Sequence, residues 1–230
     1  MRRKVLMAAE KSIGACGLCG QKFTKAGMAR HLTSCVGTRE GVGAAHPESK
    51  SDQHGYHVVV DGPFREYWLH LAVSAKARLA DLDAFLRAIW LECCDHLSAF
   101  TINGTTYTQS PLRESGDRSM SDRVGTLLSP GLRFSYVYDF GSSTELTLQV
   151  VGLLPQPTKK TVLVLARNDP PDIVCTECGQ PATSVCAECR WEGTGWLCSA
   201  CAPDHECGEE MLLPVVNSPR VGVCGYTGQH

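Results

Sequence analysis

No stretch of this 230-residue chain approaches the roughly 18 consecutive apolar residues that a membrane-crossing helix needs. The N-terminal "MRRKVLMAAEKSIGAC" pairs basic residues with a short apolar run, but Glu10 and Lys11 break any signal-peptide core. The expectation is a cytoplasmic protein with no membrane partner. Phosphate-cradling glycine loops are absent too, since Gly104, Gly116, Gly125 and Gly131 stand alone as turn glycines. No nucleophile motif occurs. A strong overall charge is also missing, at a net −2.

Cysteine is abundant, with 13 residues. The number is odd, so complete disulfide pairing within one chain is impossible. Eight of them form C-x-x-C pairs: Cys16/Cys19, Cys175/Cys178, Cys186/Cys189 and Cys198/Cys201. Two thiolates at that spacing can turn toward one tetrahedral ion. In a reducing compartment metal is the natural reading.

"CTECGQPATSVCAECRWEGTGWLCSACAPDHEC" runs from Cys175 to Cys207 and supplies eight ligands for two zinc ions. Its few apolar residues, such as Val185, Trp191, Trp196 and Leu197, build little core, so metal would provide most of its folding free energy. The preferred pairing is a cross-brace: Cys175, Cys178, Cys198 and Cys201 on one ion, Cys186, Cys189, His205 and Cys207 on the other. This spacing is similar to B-box and MYND modules, with a tighter H-x-C at its end. Cys224 is the substitute for the eighth ligand. A redox role does not suit three tandem C-x-x-C copies, and eight soft ligands leave no open position for catalysis. Such a module presents a surface to a protein partner or caps its neighbour.

A third zinc site is expected at the other end. Cys16, Cys19, His31 and Cys35 resemble a C2H2 finger with a final cysteine, with Phe23 and Met28 as its apolar core and a helix over 25–33. The first 50 residues carry a net +6, against −4 each for 51–155 and 156–230. A basic arm on an acidic protein binds phosphate backbones by counterion release. The candidate nucleic-acid contacts are Arg2, Arg3, Lys4, Lys22, Lys25 and Arg30, with the nucleic-acid type unassigned. Thr24, Gly27 and Arg30 take the base-reading positions, of which Arg30 alone is a strong base reader. Protein contact and a solvated structural tail are the alternatives.

Four segments follow: an arm and finger (1–40), a Gly/Ser-rich linker (41–55), an α+β core (56–167), and a two-zinc module with its tail (168–230). The core reads as strands at 56–60, 67–73, 132–140, 144–154 and 161–166, and a hairpin at 98–109 turning on Asn103-Gly104. Its one long helix is expected over 79–94, placing Cys93 on the buried stripe, where packing explains it better than a redox pair with Cys94. One mixed sheet with a packed helix, β-grasp-like, is the expected fold. In the tail, Pro219, Gly222 and Gly225 suggest a turn folding back onto the zinc module.

"FSYVYDFG", after a helix ending "IWLECCDHLSAFTING", resembles the Ri-plasmid third-open-reading-frame family, which includes passenger proteins of bacterial insertion elements. The resemblance covers about 56–167, and its most specific element is "YxYDFG". It implies an α+β fold, bacterial origin and a mobile-element association, and no defined activity. Many members carry an acidic residue, a tryptophan and a histidine after that glycine. Here "SSTEL" follows, so a site built on those residues is absent or altered. No catalytic residue is assigned. The functional expectation is a three-zinc adaptor joining nucleic acid to an unidentified protein. The alternatives are a purely protein-binding adaptor and an enzyme, for which Asp95, His96, Asp139 and Glu145 would have to converge.

Overall fold

A computed structural model of the chain describes residues 12–36, 54–63, 66–111, 114–155 and 160–228. Arg2, Arg3 and Lys4, and nearly all of the 41–55 linker, lie outside them. The first strands are β1 (Ile13–Cys16) and β2 (Lys22–Thr24), followed by helix α1 (Lys25–Cys35). Then come β3 (His54–Asp61), β4 (Trp68–Ser74) and helix α2 (Leu79–Leu86), which continues as a π-helical turn at Arg87–Leu91. The core continues through β5 (Ser98–Ile102), β6 (Thr105–Thr108), β7 (Arg118–Ser119) and the short helix α3 (Val124–Leu127). It closes with β8 (Arg133–Tyr138), β9 (Thr144–Pro155) and β10 (Val162–Asn168). β11 (Ser184–Cys186), β12 (Trp196–Leu197) and β13 (Leu212–Pro214) form a separate three-stranded sheet, ordered β12-β11-β13.

The α+β expectation is borne out as a large sheet with few helices. Its ten strands run β2-β1-β10-β4-β3-β9-β8-β5-β6-β7. Every pair is antiparallel except β6 with β7 at one edge. The β5–β6 hairpin turns on Asn103 (φ 49°) and Gly104 (φ 78°), the left-handed pair such a turn requires.

β4 is buried along its whole length, because both faces of the sheet are covered there. Leu69, Leu71 and Val73 join the apolar cluster of α2, with Leu79, Leu82, Leu86 and Trp90. Trp68 and Ala72, on the alternate positions, meet Met28, Leu32 and Cys35 of α1. The finger is therefore built into the sheet: β1 pairs with β10, and α1 lies across the face opposite α2.

The long helix ends earlier than its periodicity suggests. The Glu92 N–H donates to the Arg87 carbonyl at 2.9 Å, a π-type bond, and Glu92 is already extended. π-turns recur where a buried side chain has other work. Here the Arg87 guanidinium bonds Asp83, Glu92, Ser98 and the His96 carbonyl. Cys93 and Cys94 consequently lie beyond the helix rather than on its stripe, although Cys93 still packs half-buried against the core.

The tail packs on two sides. Gly222 (φ 73°) sits so close to Arg190 and Val185 that a Cβ would fall within 2.8 and 2.9 Å of them. Val221 enters the main core, and the Ser218 hydroxyl donates to the Trp90 carbonyl at 2.6 Å.

Candidate metal centres

Two knuckles share one backbone geometry. In "CGLCGQ" the Cys16 N–H donates to the Gln21 carbonyl (2.9 Å) and Gly20 N–H to the Cys16 carbonyl (2.8 Å). In "CTECGQ" Cys175 donates to Gln180 (2.7 Å) and Gly179 to Cys175 (2.9 Å). Gly20 and Gly179 have φ of 77° and 76°, so glycine after the second cysteine closes both loops.

The three sequence-predicted quartets assemble. The ligand atoms of Cys16, Cys19, His31 and Cys35 lie within 4.8 Å of one another, as do those of Cys175, Cys178, Cys198 and Cys201, and those of Cys186, Cys189, His205 and Cys207. The pairing within the C-terminal module is the cross-brace. Sulfurs stand 3.9 Å apart for Cys16–Cys35 and 3.6 Å for both Cys178–Cys198 and Cys189–Cys207. A tetrahedral ion with Zn–S bonds of about 2.3 Å sets its sulfurs roughly 3.7–3.8 Å apart, whereas a disulfide needs about 2.05 Å. The two His–Cys contacts measure 3.3 Å (His31–Cys19) and 3.5 Å (His205–Cys189). Phe23 stacks on His31 at 4.4 Å and fixes the ring.

The sulfur electrostatics suit a cation. Burial pushes the Cys175 thiol up, but N–H groups of Cys198, Cys178 and Glu177 outweigh it and bring it down to about 6. Burial likewise raises Cys186, and the Cys189 N–H, the His205 side chain and the Glu188 N–H bring it down to about 7. Their neighbours move the other way. Cys189 is pushed up to about 12, first by its contacts with Cys207 and Cys186. Cys201 is pushed up to about 12 by contacts with Cys178 and Cys198, and Cys35 to about 11 by burial and then by Cys19 and Cys16. Crowded thiols resist ionising together, and a divalent ion at the centre removes that conflict.

The basic candidates disperse. Lys22 pairs with Asp169 at 2.7 Å and Lys25 with Asp61 at 2.5 Å. Arg30 is exposed on α1. Thr24 is the N-cap of α1, its hydroxyl accepting from the Gly27 N–H at 3.3 Å.

The imagined acid/histidine cluster gathers by half. His96 Nε2 lies 3.6 Å from Asp139 Oδ2, but Asp139 is held by Arg220 at 2.7 Å. Glu145 lines a cleft of about 680 Å³ elsewhere, with Lys25, Asp61, His70 and Arg133. The Asp95 side chain is exposed and reaches Arg87 at 3.4 Å.

Sequence reasoning missed one gathering. Cys93, Cys94, His96 and Cys224 also bring their ligand atoms within 4.8 Å of one another. Cys224, the proposed substitute for the eighth cross-brace ligand, is here instead. Counting offers the signal: the three predicted quartets use ten of the 13 cysteines, and these are the three left over.

The fold and these clusters define an α+β protein decorated with cysteine/histidine quartets. The sequence model of the plasmid pRiA4b ORF-3-like proteins matches residues 41–180, and the chain belongs to that family. Most quartet residues lie outside the matched segment. No curated protein matches the chain. Among solved structures, a protein of unknown function, MM3350 from Methanosarcina mazei Go1, is similar at 15% identity and a TM-score of 0.45, over 57% of this chain and 78% of that one.

Proposed function

We propose that the chain is a zinc-binding adaptor, associated with a mobile element, in which three Zn2+ ions fold small modules onto the α+β scaffold. The observation that carries this reading is the assembly of three quartets at the edge lengths of a tetrahedral sulfur/nitrogen site. The chemistry is structural: soft thiolates and imidazoles fill all four positions of each site and leave none for substrate.

The C-terminal module would meet a protein partner. It presents Trp191, 64% exposed, with the Arg190 guanidinium 4.7 Å from the ring centroid. Exposed tryptophan beside arginine is the usual make-up of an interface anchor. Nucleic-acid contact, supported by the +6 charge of the first 50 residues, would rest on Arg2, Arg3, Lys4 and Arg30. Lys22 and Lys25 are paired with the part-exposed carboxylates of Asp169 and Asp61.

The test is fluorescence anisotropy of the zinc-loaded full chain with duplex DNA, single-stranded DNA and RNA at two salt concentrations. Salt-dependent binding that falls when Arg2, Arg3, Lys4 and Arg30 become alanine, but persists in a Lys22→Ala/Lys25→Ala variant, supports the adaptor reading. No binding to any of the three leaves a purely protein-binding adaptor. Zinc content of the same preparation, measured by mass spectrometry, checks the ions directly.

A further inference from the structure

We propose that Cys93, Cys94, His96 and Cys224 form a fourth metal site, for a thiophilic divalent ion such as Zn2+, which clamps the C-terminal tail to the end of the core helix. The ligand atoms lie within 4.8 Å of one another, with His96 Nε2 3.2 Å from Cys224 Sγ. The set contains three soft sulfurs and an imidazole, the same donor types as the finger.

The backbone here is shaped for the purpose. Four non-glycine residues with positive φ occur among the described residues: Asp95, Asn103, Asp139 and Cys224. Asn103 belongs to a hairpin turn. The other three converge at this site, with φ of 55°, 65° and 49°. Left-handed backbone at non-glycine positions costs energy and collects where a constellation must be held.

The surrounding polar groups hold the turn. The Tyr138 hydroxyl accepts from the N–H groups of Cys93 (3.4 Å) and His96 (3.3 Å) and donates to Glu92 (3.0 Å). The Glu92 carboxylate also accepts from the Asp95 N–H at 2.6 Å. On the tail side, Arg220 is fixed by Asp139, Thr144 and the Ser142 carbonyl, and its Nε points at Cys93 Sγ from 3.4 Å. Tyr138 and Asp139 belong to "YxYDFG", so the family's signature motif here supports the site without ligating in it.

This site differs from the other three in access. None of its four ligands is buried, whereas each of the other quartets holds at least one buried cysteine, so the fourth ion exchanges with solvent faster than the caged ones. Its role is to fasten the tail, since its ligands come from two segments 128 residues apart.

The experiment is metal counting on the full-length chain, purified in reductant and then exchanged into reductant-free, metal-free buffer. Wild type is expected to hold four zinc ions, and a Cys94→Ser/Cys224→Ser variant three, with unchanged circular dichroism. In a chelator time course, one ion of wild type leaves ahead of the rest, and carboxypeptidase trimming of the tail accelerates in step with that loss. Three ions in both proteins overturn the fourth site and leave the three-ion reading intact. No ions in either protein overturn both. A disulfide joining Cys93, Cys94 or Cys224 in the unexposed wild-type preparation, found by alkylation and peptide mapping, also overturns the proposal.

Discussion

Arg220 and Asp139 form a 2.7 Å ion pair with side chains 0% and 7% exposed, joining the C-terminal tail to the turn after β8. Both charges are removed from water, so each depends on the other and on the added hydrogen bonds that Asp139 accepts from the Gly141 and Ser142 N–H groups and that Arg220 donates to Thr144. The guanidinium also lies 4.7 Å from the Tyr138 ring centroid, with Arg87 at 4.9 Å from the same ring.

Removing one partner leaves a buried charge unpaired. Arg220→Met is expected to lower unfolding stability by about 3–5 kcal/mol, and Asp139→Asn by a similar amount. Urea titration measures both. In the double variant the losses will fall well short of additive, and simple additivity would mean that the pair is not coupled.

Asp83 is the second polar anchor of the core. Fully buried, it accepts from Tyr136 (2.7 Å), Ser98 (2.6 Å), Gln109 (2.5 Å) and Arg87 (3.1 Å). Asp83→Ala should cost about 3 kcal/mol or more, because four donors lose a shared acceptor. A denaturation midpoint within error of wild type would refute this.

The finger's attachment can be tested through Met28, which is fully buried against the sheet in the cluster of Trp68 and Leu165. Met28→Ala is expected to cost about 2–5 kcal/mol in the unfolding of the sheet itself. If the near-ultraviolet signal of the tryptophans melts unchanged, the finger contributes nothing to sheet stability.

His57 and His70 form a buried pair at 2.8 Å, with one ring donating and the other accepting. Burial lowers His57 to about 4, and burial plus the His57 charge lowers His70 to about 3. Unfolded histidine titrates near 6.5, so the unfolded chain binds protons first. The stability this pair provides is complete above pH ~6.5 and is lost as pH falls toward about 4. In a His57→Gln/His70→Leu variant the fall in stability over that window should be smaller by about 3–7 kcal/mol in total. Parallel wild-type and variant curves would contradict the linkage.

Chelation should act on the modules before the sheet. After treatment with a strong zinc chelator, hydrogen exchange is expected to accelerate across 175–207 while β3 and β4 stay protected. Those strands draw their stability from an apolar core of Val58, Val60, Leu69 and Leu71. Simultaneous loss everywhere would mean that the metal supports the scaffold as well.

The local features were legible in the sequence because they depend on spacing. The C-x-x-C knuckles, the His31/Cys35 helical turn, the Asn103-Gly104 hairpin and the alternating strands are each written within a few residues. "YxYDFG" was enough to place the core in its family. The helix end at Leu91 was not readable, since apolar periodicity continues through Cys93 while the π-turn answers to what Arg87 bonds in three dimensions.

Three quartets, their cross-brace partners and an α+β core between them follow from residue order and spacing. Tertiary structure alone decided that α1 covers the sheet face opposite α2, that Lys22 and Lys25 spend their charge on Asp169 and Asp61, and that Cys224 meets His96. The physical reason is range. Short ligand spacings fix geometry through a rigid backbone, whereas contacts between residues over a hundred positions apart exist only after the chain has buried its core.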